Sequence, residues 1–275
     1  MATMTATPAL LAYEQLAPVY DDFTDGYDHD AWIDGLERIA RNHGANGPRV
    51  LDVACGTGKS FAPLLARGYD VWACDLSPAM VERARRCDDV DPDRVLVADM
   101  RELPKLGAFE LVTCLDDAVN YLLSVADLEA AFASVARLLA PDGVYVFDTN
   151  TLATYRAGFA LDAIFERPLA GAVWRGETAE PIQPGALCAA SIELAPRGAG
   201  AGRVAGGGGP PGGIGGGAVS RHVQRHHPPA TVRQALASAG LACRAVLGQS
   251  TGGVLHKDAD EEVHTKLVYV AGRAA

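Results

Sequence analysis

Between residues 48 and 150, short apolar and β-branched runs alternate with stretches whose apolar positions recur every three or four residues. A short apolar run is typical of a buried strand, and the longer spacing is typical of a helix with one buried face. Strands that alternate with helices form successive βαβ units around a parallel sheet. The predicted strands are Arg49–Ala54, Asp70–Asp75, Arg94–Ala98, Phe109–Leu115 and Val144–Thr149.

Helical patterns occupy much of the remaining chain. The apolar positions from Leu128 to Leu139 fall on one helical face and stop before an Ala-Pro-Asp-Gly turn. Ser77 and Pro78 provide an N-cap and a first-turn proline for another helix. Further helices are predicted at 9–23, 30–43 and 228–239, and closing strands at 242–247 and 266–271. The first two of these helices are expected to cover the open edge of the sheet. The chain should therefore be an α/β protein with a doubly wound, mostly parallel seven-stranded sheet and an antiparallel final strand.

Composition and charge narrow the location and the partners of the chain. Its 275 residues are 49% apolar, so it can bury a core without disulfides. None of the six cysteines belongs to a C-x-x-C pair, which indicates a reducing compartment. The N-terminal segment has no secretory leader pattern and no apolar run is long enough to span a membrane, so we expect a cytoplasmic protein without a membrane partner. The formal charge of −10 disfavours nucleic acid as a partner, with a local basic patch over Arg221–His227 as the alternative.

The strongest chemical signal is a glycine turn directly after the first predicted strand, Leu51–Gly58, with the sequence LDVACGTG. Glycine lets the backbone approach a ligand where a Cβ would collide, and the start of the next helix offers free N–H groups to a carboxylate. A Walker A phosphate loop would need glycine at Val53, and a nicotinamide fingerprint would need it at Phe61, so neither fits. The pattern that remains is D-x-x-x-G-x-G followed by Asp75 at the end of the next strand, where nucleotide-binding folds place a carboxylate on ribose hydroxyls.

Four sequence blocks in order, LDVACGTG, ACDLSPAMVERAR, VLVADMRELP and FELVTCLDDAVNYLL, resemble the class I S-adenosylmethionine-dependent methyltransferases. The resemblance implies S-adenosylmethionine as the cofactor. It also implies that the first-strand acid and the glycine turn contact its methionine part, that the second-strand acid binds the ribose, and that the third-strand acid meets the adenine amino group. The residues at these positions are Asp52, Ala54, Gly56 and Gly58 for the methionine part, Asp75 for the ribose and Asp99 for the adenine.

The same resemblance assigns apolar contacts and the region of the transferred methyl group. Leu76, Met80 and Met100 would flank the adenine, although Met80 fits a core position better. Leu115 and Asp116 would lie beside the methyl group, while Asp117 fits a helix N-cap equally well.

Within this superfamily the chain is similar to actinobacterial natural-product and aminosugar N-methyltransferases. The similar segments are Ala17–Asp21, Phe147–Thr151 and Ser220–His226. The similarity implies a helical lid over 1–46, a cofactor-binding core over 47–150, a substrate-covering insert over 151–227 and a closing segment over 228–275. Tyr13 and Tyr20 are the lid residues expected over the cofactor, with simple packing of their helix as the alternative.

The expected reaction is methyl transfer to a nitrogen, or an oxygen, of a small metabolite in natural-product biosynthesis. An amine acceptor needs mainly correct placement, whereas a hydroxyl benefits from a base, for which Asp116, His222 and His226 are the candidates. Each histidine fits a packed strand position as well. Adjacent residues on a strand point to opposite faces, so neither His226 with His227 nor Asp116 with Asp117 predicts a metal site. The sequence is compatible with a monomer or a homodimer.

Residues 195–218 are dominated by glycine and proline and predict a flexible loop. A local frameshift in a GC-rich gene is an alternative explanation, which resequencing would remove if it returned the same codons. Two other functions stay open. An RNA or tRNA methyltransferase is disfavoured by the net charge and by Leu-Asp-Asp-Ala at the place of an N-P-P-Y motif. A non-catalytic regulator that binds S-adenosylmethionine is the second.

Overall fold

The computed structural model describes residues 7–26, 28–166, 171–195 and 219–274. The helices are α1 (Pro8–Leu16), α2 (Tyr20–Phe23), α3 (His29–Asn42), α4 (Ala62–Ala66), α5 (Pro78–Ala84), α6 (Val125–Leu138), α7 (Leu152–Gly158) and α8 (Pro229–Ser238). The strands are β1 (Arg49–Val53), β2 (Asp70–Asp75), β3 (Val95–Val97), β4 (Phe109–Cys114), β5 (Leu139–Asn150), β6 (Ala163–Glu166), β7 (Gly171–Gly176), β8 (Leu187–Ala195), β9 (Val219–Arg225), β10 (Leu241–Gln249), β11 (Leu255–His256) and β12 (Lys266–Arg273).

The main sheet has eight strands in the order β11-β10-β12-β5-β4-β1-β2-β3. Five neighbouring strands, β3, β2, β1, β4 and β5, run parallel. Beyond β5, the strands β12, β10 and β11 continue the sheet in antiparallel orientation. The prediction of a mostly parallel α/β sheet with an antiparallel end is confirmed, and all seven predicted strands are present. The eighth strand, β11, has two residues and is too short to leave an alternating pattern.

Helices cover both faces of this sheet. Tyr145 and Phe147 of β5 pack on the side of α6 and α8, while Val144 and Val146 pack on the side of α3, α4 and α5. The alternation follows from the two-residue repeat of a strand. The expectation that residues 30–43 cover an edge was wrong, because the buried stripe of α3 packs against the middle of one face instead.

The first predicted helix, 9–23, is divided into two. It ends at Leu16 and continues as a single 3-10 turn, Ala17–Val19, before α2. Pro18 lacks a backbone N–H and cannot continue an α-helix, which explains the break.

A second, antiparallel sheet has the order β6-β7-β8-β9. Its inner side packs on α1, where Leu16 contacts the cluster of Ala172 and Ile192. This places α1 between the second sheet and the carboxyl ends of the parallel strands. Of the predicted loop 195–218, Ala195 ends β8, and residues 196–218 lie outside the described part of the chain. No described helix combines the length and the apolar character needed to cross a lipid bilayer.

Candidate functional site

A cavity of about 240 Å³ lies along the carboxyl ends of β3, β2, β1 and β4, which are neighbours in the sheet. Asp99 follows β3, Asp75 ends β2, Gly56 follows β1 and Asp116 follows β4, so the sheet order arranges these four residues along the cavity. Ten predicted site residues line it: Tyr13, Tyr20, Ala54, Gly56, Asp75, Leu76, Asp99, Met100, Leu115 and Asp116. Five others lie behind or outside the lining: Asp52, Gly58, Met80, His222 and His226.

The glycine turn after β1 bends through left-handed backbone conformations. Gly56 has φ +56° and a Cβ there would lie 3.7 Å from the ring of Tyr20, which therefore covers the turn. Gly58 has φ +98°, and its Cβ would lie 2.6 Å from Cys87 Sγ and 2.8 Å from the Phe61 ring. Close approach of a ligand, the predicted reason for glycine, thus fits Gly56. At position 58 glycine is required for a different reason, because a Cβ would collide with the side chains packed beneath the turn.

Asp75 ties the glycine turn to the start of α5. Its Oδ2 accepts from the N–H of Gly56 at 2.9 Å, and its Oδ1 accepts from the N–H of Ser77 at 2.8 Å. Burial raises the pKa of Asp75, and the backbone donors act against that rise. A carboxylate has about four acceptor positions, so both oxygens can accept further hydrogen bonds from the cavity.

Asp52 lies one layer behind the cavity. Only 1% of it is exposed, and its oxygens accept from Thr113 Oγ1 at 2.7 Å and Ser60 Oγ at 2.5 Å. Burial raises its pKa to about 6. Ser60 lines the cavity, so Asp52 reaches it through that hydroxyl. Met80 is fully buried, in agreement with the alternative prediction that it is a core residue.

At the β3 end, the carboxylate of Asp99 is held by Arg101. The guanidinium donates to Asp99 Oδ2 at 2.6 Å and to Asp127 Oδ1 at 2.8 Å, and all three side chains line the cavity. This network fixes the direction of the Asp99 carboxylate beside Met100.

Hydrogen bonds to the start of α5 and to the glycine turn attach the segment of α1 and α2 to the core. Glu14 Oε1 accepts from Ser77 Oγ at 2.5 Å and from the N–H of Ala79 at 2.9 Å. Thr57 Oγ1 of the glycine turn donates to Asp21 Oδ1 at 2.5 Å. These contacts hold Tyr13 and Tyr20 over the cavity. They have no local signal in the sequence because the partners are far apart in the chain.

At the β4 end, Asp116 and Asp117 form a turn with φ values of +57° and +52°. Their N–H groups donate to the two oxygens of Asp148 at 2.8 and 2.6 Å, and Lys266 Nζ lies 3.2 Å from each of their carboxylates and 3.1 Å from Asp148. The expectation that Asp116 and Asp117 point to opposite faces was wrong, because two left-handed residues interrupt the alternation of a strand. Sequence reasoning missed Lys266 and Asp148.

Burial and neighbouring charges together set the pKa values of the carboxyl groups in this cluster. Burial favours the protonated form of Asp116, but Lys266 and His29 outweigh it and lower the pKa to about 2. Burial raises the pKa of Asp148 to about 6. The side chain of Asp116 is 42% exposed and that of Asp148 is fully buried, so Asp116 is the carboxylate that meets the cavity.

His222 does not line the cavity but contacts two residues that do, Tyr13 through its ring and Tyr121 through a hydrogen bond. Tyr121 Oη lies 2.7 Å from His222 Nδ1, and Nε2 lies 2.9 Å from Ser220 Oγ, which donates to the carbonyl of Ala12 at 2.7 Å. The serine proton is committed to that carbonyl, so Nε2 must donate to the serine. Burial lowers the pKa of His222 to about 4, so the neutral ring keeps Nδ1 free to accept from Tyr121. Tyr121 lines the cavity and was not singled out in the sequence.

His226 lies away from the cavity in the buried join between β9 and α8. Its Nε2 is 2.8 Å from Glu261 Oε1, and its Nδ1 accepts from the N–H of Gly185 at 3.0 Å. Both ring nitrogens are therefore engaged in holding loops together. Among the described residues, no group of three or more His, Cys, Asp and Glu side chains could hold a metal ion.

Comparison with known proteins identifies the family. A family described as Methyltransferase domain matches residues 50–143. A demethylmenaquinone methyltransferase of Beutenbergia cavernae is 36% identical over 174 residues, which cover 58% of this chain and 69% of that protein. A dTDP-3-amino-3,6-dideoxy-alpha-D-glucopyranose N,N-dimethyltransferase of Streptomyces fradiae is 33% identical over 150 residues, 54% of this chain. The match spans 58% of the length of that enzyme and 56% of the length of YqeM of Bacillus subtilis, to which the chain is 34% identical.

Solved structures share the whole fold. An S-adenosylmethionine-dependent methyltransferase from Clostridium acetobutylicum superposes with a TM-score of 0.75 at 21% identity, over 96% of this chain and 99% of that one. A sugar N-methyltransferase from a Streptoalloteichus species superposes with a TM-score of 0.64 at 26% identity, over 93% of both chains.

Proposed function

Because this chain belongs to the class I S-adenosylmethionine-dependent methyltransferases, we propose that it transfers a methyl group from S-adenosylmethionine to a small-molecule metabolite, at nitrogen rather than oxygen. The observation that supports this best is the order of residues along the cavity. Asp99, Asp75 and Gly56 follow neighbouring strands in the same order as the adenine, ribose and amino-acid parts of the cofactor, and Asp116 follows the next strand, where we propose that the acceptor approaches the sulfonium methyl.

The donor and acceptor groups of the cavity fit such a cofactor. Leu76 and Met100 offer apolar walls to a flat base, and the carboxylate of Asp99 can accept from an amino group on its edge. Asp75 keeps acceptor positions for two neighbouring hydroxyls. The missing side chain of Gly56 leaves room for the amino-acid part.

When bound, the cofactor supplies a methyl group on a positively charged sulfonium. The side chains at the β4 end decide which acceptor can be used. Asp116 remains ionised at neutral pH, since its pKa lies at about 2, and it can accept hydrogen bonds from an N–H group. We propose that Asp116 holds the acceptor nitrogen so that its lone pair faces the methyl group, because placement alone supplies most of the rate in such a displacement.

Asp116 and His222 are too weakly basic to remove a proton from an acceptor, and His226, the third candidate base, lies away from the cavity. An alkylammonium group has a pKa of about 10, whereas Asp116 has a pKa of about 2 and His222 about 4. Alkyl hydroxyl groups, such as those of a sugar, are still weaker acids than ammonium groups. A nitrogen that arrives without its proton needs no base, and this favours nitrogen over oxygen.

The biological setting is inferred from relatives and from composition. Similarity to the Streptomyces fradiae aminosugar dimethyltransferase supports an amine-bearing intermediate of natural-product biosynthesis as the acceptor. The six cysteines are all unpaired, which supports a reducing, cytoplasmic location.

The first test is calorimetric titration of the purified protein with S-adenosylmethionine and S-adenosylhomocysteine. Wild type should bind both with micromolar affinity, and Asp75→Asn should weaken binding by about tenfold or more, since it removes a charged acceptor of hydroxyl hydrogen bonds. Asp70→Asn is the matched control, because Asp70 lies at the other end of the same strand and contacts Arg94. Absence of binding by the folded wild type would refute the proposal.

The acceptor is then tested with methyl-labelled S-adenosylmethionine. We expect transfer to a dTDP-3-amino-3,6-dideoxyglucose or a related amine, and none to the sugar with a hydroxyl at the same carbon. Transfer to bulk tRNA in place of amines would favour the RNA alternative, and binding without transfer to either would favour a regulator.

A further inference from the structure

We propose that Lys266 and Asp148 are positioning residues that aim the carboxylate of Asp116 at the acceptor, so that this end of the cavity selects a group that donates N–H hydrogen bonds. The proposal rests on the proposed function, because it assumes that the transferred methyl lies at the β4 end. Its test is chosen so that the two can fail separately.

The turn that carries Asp116 needs outside support. Two consecutive residues other than glycine adopt left-handed backbone conformations there, which L-residues do rarely even when they are aspartate. Both of their N–H groups donate to one buried carboxylate, that of Asp148. Asp148 thus stabilises this turn through the two backbone N–H groups. A change in the side chain of Asp116 would leave these two hydrogen bonds intact.

Lys266 reaches the turn from the adjacent strand. Asp148 of β5 pairs with Val268 of β12, so Lys266 is its diagonal neighbour two residues along. Its Nζ lies within 3.2 Å of all three carboxylates. One ammonium group therefore allows three carboxylates to remain together at the edge of the cavity.

The three carboxylates differ in what remains free. Those of Asp148 and Asp117 have further donors, the two backbone N–H groups and the amide of Gln224 respectively. Asp116 Oδ1 faces Lys266 at 3.2 Å, while Oδ2 has a longer contact of 3.8 Å with His29 Nε2, close enough to contribute to the lowered pKa of this carboxyl and long enough to leave Oδ2 able to accept from a ligand. Asp116 also lines the cavity. Its Oδ2 is therefore the oxygen available to a ligand.

The test compares two cofactor analogues and needs no acceptor. S-adenosylhomocysteine lacks the methyl group, and sinefungin carries an ammonium group at the place of that methyl. Wild type should bind sinefungin more tightly than S-adenosylhomocysteine by about tenfold or more, the effect of one charged hydrogen bond. The ratio of the two dissociation constants is the measured quantity.

Substitution of Lys266 distinguishes a positioning role from a simple charge effect, because the two change the sinefungin preference in opposite directions. At a pH high enough to keep the carboxylates ionised without Lys266, loss of a cation alone would make the site more negative and increase the sinefungin preference. Loss of positioning in Lys266→Met should instead reduce the preference to about twofold or less. Lys266→Arg should restore most of the sinefungin preference. Lys266→Gln can still donate to carboxylates and should show an intermediate preference, and it replaces Lys266→Met in the test if that variant does not fold.

Lys59→Met is the matched control, because Lys59 is a cavity cation that contacts Asp21 and Thr24 instead of the acidic turn. It should leave the ratio unchanged even if it weakens both ligands. An unchanged or increased ratio in the Lys266 variants, or no sinefungin preference in wild type, would overturn the positioning role. Failure of wild type to bind S-adenosylhomocysteine would instead overturn the proposed function.

Discussion

Asp52 is a buried carboxylate whose ionisation should set part of the pH dependence of stability. Burial raises its pKa from 3.8 to about 6 in spite of the two hydroxyl groups that donate to it. The folded chain therefore binds this proton more tightly than the unfolded chain does. The stabilisation is fully present below about pH 4 and is lost as the pH rises through about 6.

The size of the effect follows from the two pKa values. A rise from 3.8 to about 6 corresponds to about 3 kcal/mol at about 1.36 kcal/mol per pH unit. Between about pH 4 and pH 7, most of this difference, about 2–3 kcal/mol, should be expressed. Asp52→Asn has nearly the same shape and never ionises. Relative to wild type, the variant should therefore gain about 2–3 kcal/mol of unfolding free energy over that pH range.

The assay is urea unfolding of both proteins at several pH values, followed by tryptophan fluorescence. Other titrating groups such as Asp148 occur in both proteins, so the difference between the two curves isolates Asp52. Ser60→Ala is a companion variant, because loss of that donor should move the titration of Asp52 to higher pH. A difference between wild type and Asp52→Asn that stays constant with pH would refute the reasoning.

Two further predictions concern the glycine turn and the cover over the cavity. Gly58→Ala should lower the unfolding free energy by about 2–4 kcal/mol through strain and overpacking, whereas Gly68→Ala, with φ +83° and open space around it, should cost about 1–2 kcal/mol; equal losses in urea unfolding would show that the packing beneath the turn is unimportant. Glu14→Ala, which removes the acceptor for Ser77, should speed release of S-adenosylhomocysteine about three- to tenfold in stopped-flow measurements, and Gln15→Ala should not; equal release rates would exclude this contact as a lid attachment.

The residues that line the proposed cofactor end of the cavity could be predicted because their signals in the sequence are local. Gly56, Asp75 and Asp99 each stand at the end of an apolar run, and parallel strands bring such ends to one edge of a sheet. This prediction requires no knowledge of contacts between distant parts of the chain. The same reasoning overestimated Gly58, whose spacing looks like that of a ligand-binding glycine although its neighbours are protein side chains.

At the proposed acceptor end, Leu115 and Asp116 could be predicted, but the residues that support them could not, because they belong to distant segments of the chain. Lys266 is 150 residues from Asp116 and 118 from Asp148, and nothing around it in the sequence marks it as charged in the interior. The turn at Asp116 departs from strand geometry for reasons that lie in those contacts. His222 was considered as a base, but burial and the link to Tyr121 are visible only in the fold.

The order of the strands separates the cavity into two regions that can change independently. Adenine and ribose contacts are expected from the loops after β3 and β2, while the proposed acceptor end is lined by the segment after β4 and by Val223 of β9. A mutant library restricted to the second group, with residues such as Leu115, Tyr121 and Val223 varied, would therefore sample new acceptors without altering nucleotide recognition. Such an arrangement lets one scaffold acquire new specificities during evolution or in the laboratory.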